Sequence, residues 1–211
     1  MATLRKEYAG KQDSIRARLS EFDAVGRRSD QELFKELCFC LLAIQTKARA
    51  CDEAVRGLDA SNLLWRGDAR AIAGFLRHRV RFHNHKAAYI VHARQRFLPP
   101  DAPRLRDSLA VHRTPAEVRG WLVREVDGLG MKEASHFLRN IGRGEGLAIL
   151  DRHILRNLVG HGVLRRVPAS LSPRRYLRIE EKMQRFAVAV GIPMAALDLL
   201  FWSRATGEIF K

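Results

Sequence analysis

The chain has 211 residues, which is enough for one large domain or two small ones with a buried core. Its 38 lysines and arginines outnumber 23 acidic residues and give a net charge of +15. An excess of this size favours a polyanionic partner such as a nucleic acid. A generally basic protein without such a partner would show the same excess.

The cysteines and the start of the chain narrow the class of protein further. Three cysteines are present and none forms a CxxC pair, which excludes a disulfide framework and a four-cysteine iron–sulfur cluster. The segment MATLRKEYAGKQDSIRARL is too charged for a secretory signal. Because no apolar run reaches roughly 18 residues, we expect a cytoplasmic protein without a membrane segment.

In the first half of the chain, apolar residues recur at three- and four-residue spacing, which is the period of an amphipathic helix. Ser29-Asp30-Gln31-Glu32 predicts the start of a helix that contains LFKELCFCLLAI. Because Leu33–Ile44 is apolar on nearly every face, we expect it to run through the middle of the core. Three further helices are predicted in KARACDEAVRGL, DARAIAGFLRHR and FHNHKAAYIVHARQRF.

The second half of the chain shows the same period with clear start signals. Thr114-Pro115-Ala116-Glu117 is a capping box with proline at the first helical position. Ser172-Pro173 predicts the start of a helix that ends at Gly191, and Pro193 precedes the last helix. The proline-rich segment 98–107 is predicted to be a loop. No segment shows the period of a strand, so the fold class is predicted to be all-α.

The most informative segment is VDGLGMKEASHFLRNIG, residues 126–142. Gly128 and Gly130 flank Leu129 in a predicted tight turn between two helices, where glycine allows positive φ and close backbone approach. Free N–H groups at the start of the second helix would bind a DNA phosphate. The same glycine pattern also serves in helical hairpins that bind nothing, and the net charge of the chain favours the phosphate-binding interpretation.

Lys132 and Asp151 are the candidate catalytic residues. Lys132 follows the hairpin on the first turn of a helix, where the positive end of the helix dipole disfavours an ammonium and so favours the free amine that a Schiff-base nucleophile needs. Asp151 precedes RHILRNL, where it could stabilise a developing sugar cation. Two plainer roles stay open: Lys132 could only contact phosphate, and Asp151 could only cap its helix.

These residues resemble a known family. GLGMKEASHFL followed by LAILDRHIL is similar to the helix-hairpin-helix DNA glycosylase superfamily. Within it, the segments ELCFCLLAIQTKARA, RFHNHKAAYIVHAR and LDLLFWSRATGEIFK resemble the type 2, archaeal-type 8-oxoguanine DNA glycosylase/lyases. The resemblance spans roughly residues 30–211. The absence of a C-terminal four-cysteine motif distinguishes the chain from the endonuclease III and adenine-glycosylase branches.

The resemblance implies a helix-hairpin-helix glycosylase fold in which residues 1–211 form a single catalytic unit with two helical subdomains flanking a cleft. Residues 31–150 would form a central helical barrel with the helix-hairpin-helix at about 118–142. Residues 1–30 and 151–211 would form the second subdomain.

The resemblance also implies the chemistry. Lys132 would attack C1′ of the damaged nucleotide, expel 8-oxoguanine and form an imine, through which β-elimination would cut the strand. Asp151 would stabilise the sugar cation and the lysine. No metal and no cofactor would be needed. The expected partner is double-stranded DNA containing 8-oxoguanine, bound by a monomer in the cytoplasm and associated with the nucleoid.

The expected DNA and base contacts lie elsewhere in the chain. Gln45 resembles the wedge that fills the space left by a flipped nucleotide, although a surface glutamine ending a helix would look the same. The remaining candidates line the base pocket: Trp202 or Phe201 as a stacking platform, Phe82 on its opposite face, Asp198 at the Watson–Crick edge, and Lys211 with its terminal carboxylate.

Two alternative functions remain at this stage. The chain could be a glycosylase for another oxidised base, or a non-catalytic helix-hairpin-helix module that binds DNA. His83 and His85 could suggest a metal site, but without a third ligand nearby they favour surface positions.

Overall fold

The structure, a computed structural model, describes residues 2–99 and 101–211. Along these residues the chain is helical and contains no strand, which confirms the predicted all-α fold class. The helices are α1 (Ala2–Gly26), α2 (Asp30–Leu42), α3 (Ala48–Ala60), α4 (Leu63–Arg66), α5 (Ala69–Leu76), α6 (His83–Phe97), α7 (Leu105–Ala110), α8 (Pro115–Glu125), α9 (Met131–Asn140), α10 (Arg152–Gly160), α11 (Pro173–Val190) and α12 (Met194–Thr206).

The helix ends follow the capping signals of the sequence. Ser29 accepts a hydrogen bond from the Glu32 N–H at the start of α2. Thr114 and Glu117 form the predicted capping box of α8, with bonds of 3.2 and 3.0 Å. Helix α11 begins after Ser172 and ends at Gly191, whose φ of 69° is the left-handed C-cap conformation.

The chain divides into two compact units. The central unit is Arg28–Phe137, and the terminal unit combines Met1–Arg27 with Leu138–Lys211. Helix α9 begins in the central unit and ends in the terminal unit. Residues 138–150 thus belong to the terminal unit, whereas the sequence had assigned them to the central barrel.

The core of the central unit is built around α2. From Leu33 to Leu42 only Lys35 is not buried, as expected for a helix that is apolar on nearly every face. Helices α3, α6 and α7 pack against it. Such a helix is stabilised mainly by the apolar area it buries, at about 25 cal/mol per Å².

The terminal unit is organised around α12, which packs against α1, α10 and α11. Its residues Ala196–Phe201 are all buried. Arg204, near its end, donates hydrogen bonds to the carboxylate of Glu7 on α1 and to Asn157 Oδ1 on α10. This side chain therefore joins three helices of the terminal unit.

Three helices were not predicted: α1, the single-turn α4 and α7. In α1 only Leu4, Ile15 and Phe22 are buried among 25 residues, so the apolar period is too sparse to be seen in the sequence. Helix α7 occupies Leu105–Ala110, so the prediction of a loop over 98–107 is wrong for residues 105–107, which are helical. Leu105 and Leu109 are buried and draw this segment into a helix.

All three cysteines are buried, at Cys38, Cys40 and Cys51. Burial raises the pKa of the Cys38 thiol above its usual range and that of Cys51 to about 12. Within the described parts of the chain, no single helix has the length and hydropathy to cross a membrane; α11 and α12 reach those limits only as a pair bent by 94°.

Candidate active site

The predicted hairpin lies between α8 and α9. Leu129 is buried and its N–H donates to the carbonyl of Val126 at 3.1 Å. The Gly130 carbonyl accepts from the Ala134 N–H at 3.0 Å and so begins the hydrogen bonds of α9. Buried Arg119 on α8 donates to Ser135 on α9 at 3.2 Å, which links the two helices. The first N–H groups of α9 have no partners within the helix and can bind an anion.

Gly128 is needed at its position for two reasons. Its φ is +85°, a conformation that L residues rarely adopt, and a Cβ there would overlap the ring of Tyr89 on α6. Next to it, Asp127 Oδ2 lies 2.8 Å from His92 Nδ1, also on α6. Helix α6 thus supports the hairpin from within the central unit.

We expect Gly128→Ala to lower the free energy of unfolding by about 1–3 kcal/mol, because the new methyl group meets both a strained φ and the Tyr89 ring. Urea denaturation would measure this change. Gly74→Ala is the matched control: it lies in α5 with no atom within 4 Å of the added Cβ. It should stabilise the protein by about 0.5–1 kcal/mol. Equal effects of the two substitutions would contradict the assigned hairpin geometry.

Lys132 lies on the first turn of α9, as predicted. Its Nζ is 3.0 Å from Glu133 Oε1, and the two side chains are 25% and 13% exposed. The pair is thus largely enclosed but still reachable. No pattern in the sequence indicated this partner, since adjacent residues on a helix do not normally face each other.

Lys86 holds the turn after α2 and was not singled out from the sequence. It is buried at 1% exposure. Its Nζ donates to the carbonyls of Leu42 and Ile44, both at 2.7 Å, and to Thr46 Oγ1 at 2.9 Å. A cation at the C-terminal end of α2 is also favoured by the helix dipole. This network fixes the turn that carries Gln45.

The same network connects Gln45 to Phe82. Thr46 Oγ1, held by Lys86, accepts a hydrogen bond of 3.3 Å from the backbone N–H of Arg81. Gln45 and Phe82 are both exposed, and both have positive φ, at 52° and 56°. Such strain in residues other than glycine is most common at functional sites. Two predicted DNA contacts therefore lie on neighbouring turns of the central unit.

Lys132 lies near this network. Burial lowers the pKa of Lys86 from 10.5 to about 8; Cys51 opposes this shift, and the charges of Lys132 and Arg81 add to it. Lys132 is therefore near enough to Lys86 for their two positive charges to interact.

The lowered pKa of Lys86 predicts a pH-dependent stability. Between about pH 8 and 10.5 the unfolded chain keeps a proton that the folded protein has lost, so raising the pH favours the folded state. Across this interval we expect the free energy of unfolding of the wild type to rise by roughly 1–3 kcal/mol relative to that of Lys86→Met. Urea unfolding at both ends would measure it. Lys182→Met, at an exposed lysine of α11, should differ from the wild type by the same amount at both pH values. A difference between Lys86→Met and the wild type that does not change with pH would refute the prediction.

Asp151 lies in the terminal unit at the N-cap of α10, where its Oδ1 accepts from the Ile154 N–H at 2.7 Å. The preceding residues 147–150 are buried. Glu180 accepts from the Ala148 N–H at 2.7 Å, and the Tyr176 hydroxyl donates to the Ala148 carbonyl at 2.6 Å. Asp151 is therefore anchored by a rigid, apolar segment.

The pocket candidates of the terminal unit differ in accessibility. Asp198 is buried and its Oδ2 lies 3.3 Å from Arg139 Nη1, so it already serves an ion pair. Phe201 is fully buried, with His161 stacked on it at 5.4 Å. Trp202 and Lys211 are partly exposed. Trp202, rather than Phe201, is therefore the side chain that can stack on a base.

The histidines do not point to a metal. No group of three or more His, Cys, Asp or Glu side chains is arranged to hold an ion within residues 2–99 and 101–211. His136, four residues after Lys132, contacts Phe39 edge-on at 5.6 Å, which is a packing role.

An all-helical chain with a glycine hairpin leading into a helix that carries a lysine on its first turn fits the helix-hairpin-helix class of DNA-binding proteins. The chain belongs to the 8-oxoguanine DNA glycosylase family, Ogg-HhH, whose family model matches residues 15–192. The resemblance noted in the sequence is thereby confirmed.

Individual relatives agree with the family assignment. An 8-oxoguanine DNA glycosylase/AP lyase of Fusobacterium nucleatum is 40% identical over 209 residues, covering 99% of this chain and 96% of the relative. One of Korarchaeum cryptofilum is 40% identical over 198 residues, covering 93% and 90%. The crystal structure of the Methanocaldococcus jannaschii 8-oxoguanine glycosylase/lyase with a 15-mer DNA containing 8-oxoguanine has a TM-score of 0.88, 32% identity and 100% coverage of both chains.

Proposed function

We propose that this chain is an 8-oxoguanine DNA glycosylase/AP lyase that uses Lys132 as its nucleophile and Asp151 as its electrostatic partner. The observation that carries this proposal, beside the family, is the arrangement of the central unit. There Lys132 is partly exposed on the first turn of α9, and its charge interacts with that of Lys86. Lys86 in turn holds the exposed, positive-φ turns that present Gln45 and Phe82.

The environment of Lys132 suits a nucleophile better than the environments of Lys86 and Lys35. Lys86 is buried, and its ammonium donates to three acceptors, so it cannot reach a substrate. Lys35 is paired with Glu32 and Asp59. Lys132 has one carboxylate partner, Glu133 at 3.0 Å. That carboxylate is within reach to accept the proton that the ammonium must lose before it attacks.

The reaction then proceeds in two stages. The Lys132 amine forms a bond to C1′ as the bond from C1′ to the base breaks, and the base departs with the electron pair. Ring opening yields an imine between Lys132 and C1′. Loss of a proton from C2′ then breaks the bond between C3′ and the phosphate oxygen, which cuts the strand. The Asp151 carboxylate stabilises the positive charge that develops on the sugar.

The other candidates would bind the DNA around this chemistry. Gln45 would fill the gap left by the flipped nucleotide, whose extrusion costs a few kcal/mol. Phe82, which is 50% exposed, and Trp202 would stack on the base, each at about 1–3 kcal/mol. Lys211, which is partly exposed, would contact the edge of the base.

The hairpin would bind the DNA backbone. Gly128, Leu129 and Gly130 bring the free N–H groups of α9 close to a phosphate, a contact that positions the protein without reading sequence. The proposed partner is double-stranded DNA containing 8-oxoguanine, bound by a monomer in the cytoplasm.

Borohydride trapping tests the proposal. Incubating the wild-type protein with a duplex containing 8-oxoguanine and sodium borohydride should reduce the imine to a stable amine and yield a covalent protein–DNA adduct. Parallel duplexes with thymine glycol or uracil should give little adduct. Preference for one of these would indicate a different lesion. Salt-sensitive binding without any adduct would indicate a non-catalytic DNA-binding module.

A further inference from the structure

The last residues of the chain are held by helix α1. Helix α12 ends at Gly207, and residues 208–211 follow without regular structure. Phe210 is nonetheless buried, at 8% exposure. Its carbonyl oxygen accepts a hydrogen bond of 3.0 Å from Arg18 Nε. A segment without secondary structure is thus fixed by a side chain from the opposite end of the sequence.

Arg18 also contacts aromatic rings. Its guanidinium carbon lies 4.6 Å from the ring centroid of Phe22 and 5.5 Å from that of Phe210. The Glu21 carboxylate pairs with the same guanidinium. Arg18 therefore holds both the main chain and the side chain of Phe210, and Glu21 keeps the guanidinium oriented.

The contact between Arg18 and Phe210 restricts the position of the Lys211 backbone. The Phe210 carbonyl and the Lys211 nitrogen and Cα belong to one planar peptide unit. A hydrogen bond to that carbonyl, together with contact to the Phe210 ring, restricts the orientation of the plane. The position of the Lys211 Cα is restricted in consequence.

We propose that Arg18 is a positioning residue for recognition of the damaged base, because it fixes the Phe210–Lys211 peptide and so directs Lys211 into the base pocket. This inference rests on the proposed function, in which Lys211 contacts the base. Arginine suits the role because its planar guanidinium can stack on a ring and still donate hydrogen bonds in its own plane, whereas the compact ammonium of a lysine has no plane to stack.

The two activities of the enzyme separate a positioning role from a structural one. Release of 8-oxoguanine needs the base pocket, whereas cleavage at a preformed abasic site does not, because no base is present there. In Arg18→Gln we expect kcat/KM for base release to fall roughly 10- to 100-fold. Cleavage of an abasic-site duplex should change less than about threefold, since misplaced pocket groups do not act on it.

The matched control is Arg16→Gln, an exposed position on the same helix, which should leave both activities at wild-type values. Arg18→Lys keeps one donor and should recover part of the base release. It also serves as the test variant if Arg18→Gln fails to fold, with thermal unfolding as the check.

Equal losses of both activities in a folded Arg18 variant would show a merely structural role, and unchanged base release would also overturn the inference. Failure of the proposed function is recognised separately. In that case the wild type itself would release no 8-oxoguanine.

Discussion

Lys132→Gln should abolish the borohydride-trapped adduct and lower base release by roughly a thousandfold or more, because glutamine has no amine to form the bond to C1′. DNA binding should change little, since the hairpin and the backbone of α9 are retained. Both activities should be lost together, because in the proposed mechanism the strand is cut through the imine that the same lysine forms. Gel analysis of adduct and cleavage products, with binding measured in parallel, would test this.

Two lysine variants serve as controls for that experiment. Lys182→Gln removes an exposed cation of α11 and should leave trapping unchanged. It thus controls for the loss of one positive charge in Lys132→Gln. Lys86→Met removes the buried lysine near Lys132 and should still allow an adduct to form. Retention of trapping by Lys132→Gln would identify another amine as the nucleophile.

Asp151→Asn should separate the helix-capping role of that residue from its proposed electrostatic role. Asparagine caps a helix about as well as aspartate, so the bond to the Ile154 N–H can be kept while the charge is lost. We expect base release to fall roughly 10²- to 10³-fold, the typical effect of removing one group that stabilises transition-state charge. Stability should change by less than about 1 kcal/mol.

Asp68→Asn is the matched control for the capping role. Asp68 caps α5 through a bond of 2.7 Å to the Ala71 N–H, the same length as the bond that Asp151 makes. Its substitution should cost the same small amount of stability and leave base release intact. Full activity of Asp151→Asn would show that Asp151 acts only as a helix cap.

Local signals in the sequence predicted most of the helices. Ser29, Thr114 and Ser172 each cap the helix they were expected to cap, because a capping side chain acts within three residues of its own position. The hairpin was predictable for a related reason: Gly128 marks a turn whose φ other residues rarely adopt.

Contacts between distant residues could not be predicted in this way. A lysine is usually a surface residue, and only tertiary packing brings Lys86 to the end of α2. Asp198 was expected to contact the base, but its proximity to Arg139 depends on how α9 and α12 pack. Periodicity describes which face of a helix is apolar and not which polar groups meet.

The burial of the cysteines bears on the conditions in which such an enzyme has to work. Oxidants attack the thiolate rather than the thiol, and they attack exposed sulfur first. The Cys38, Cys40 and Cys51 sulfurs are enclosed, and at neutral pH the Cys38 and Cys51 thiols stay protonated. A repair enzyme built this way keeps its own sulfur chemistry inert under the oxidative stress that produces the lesion it removes.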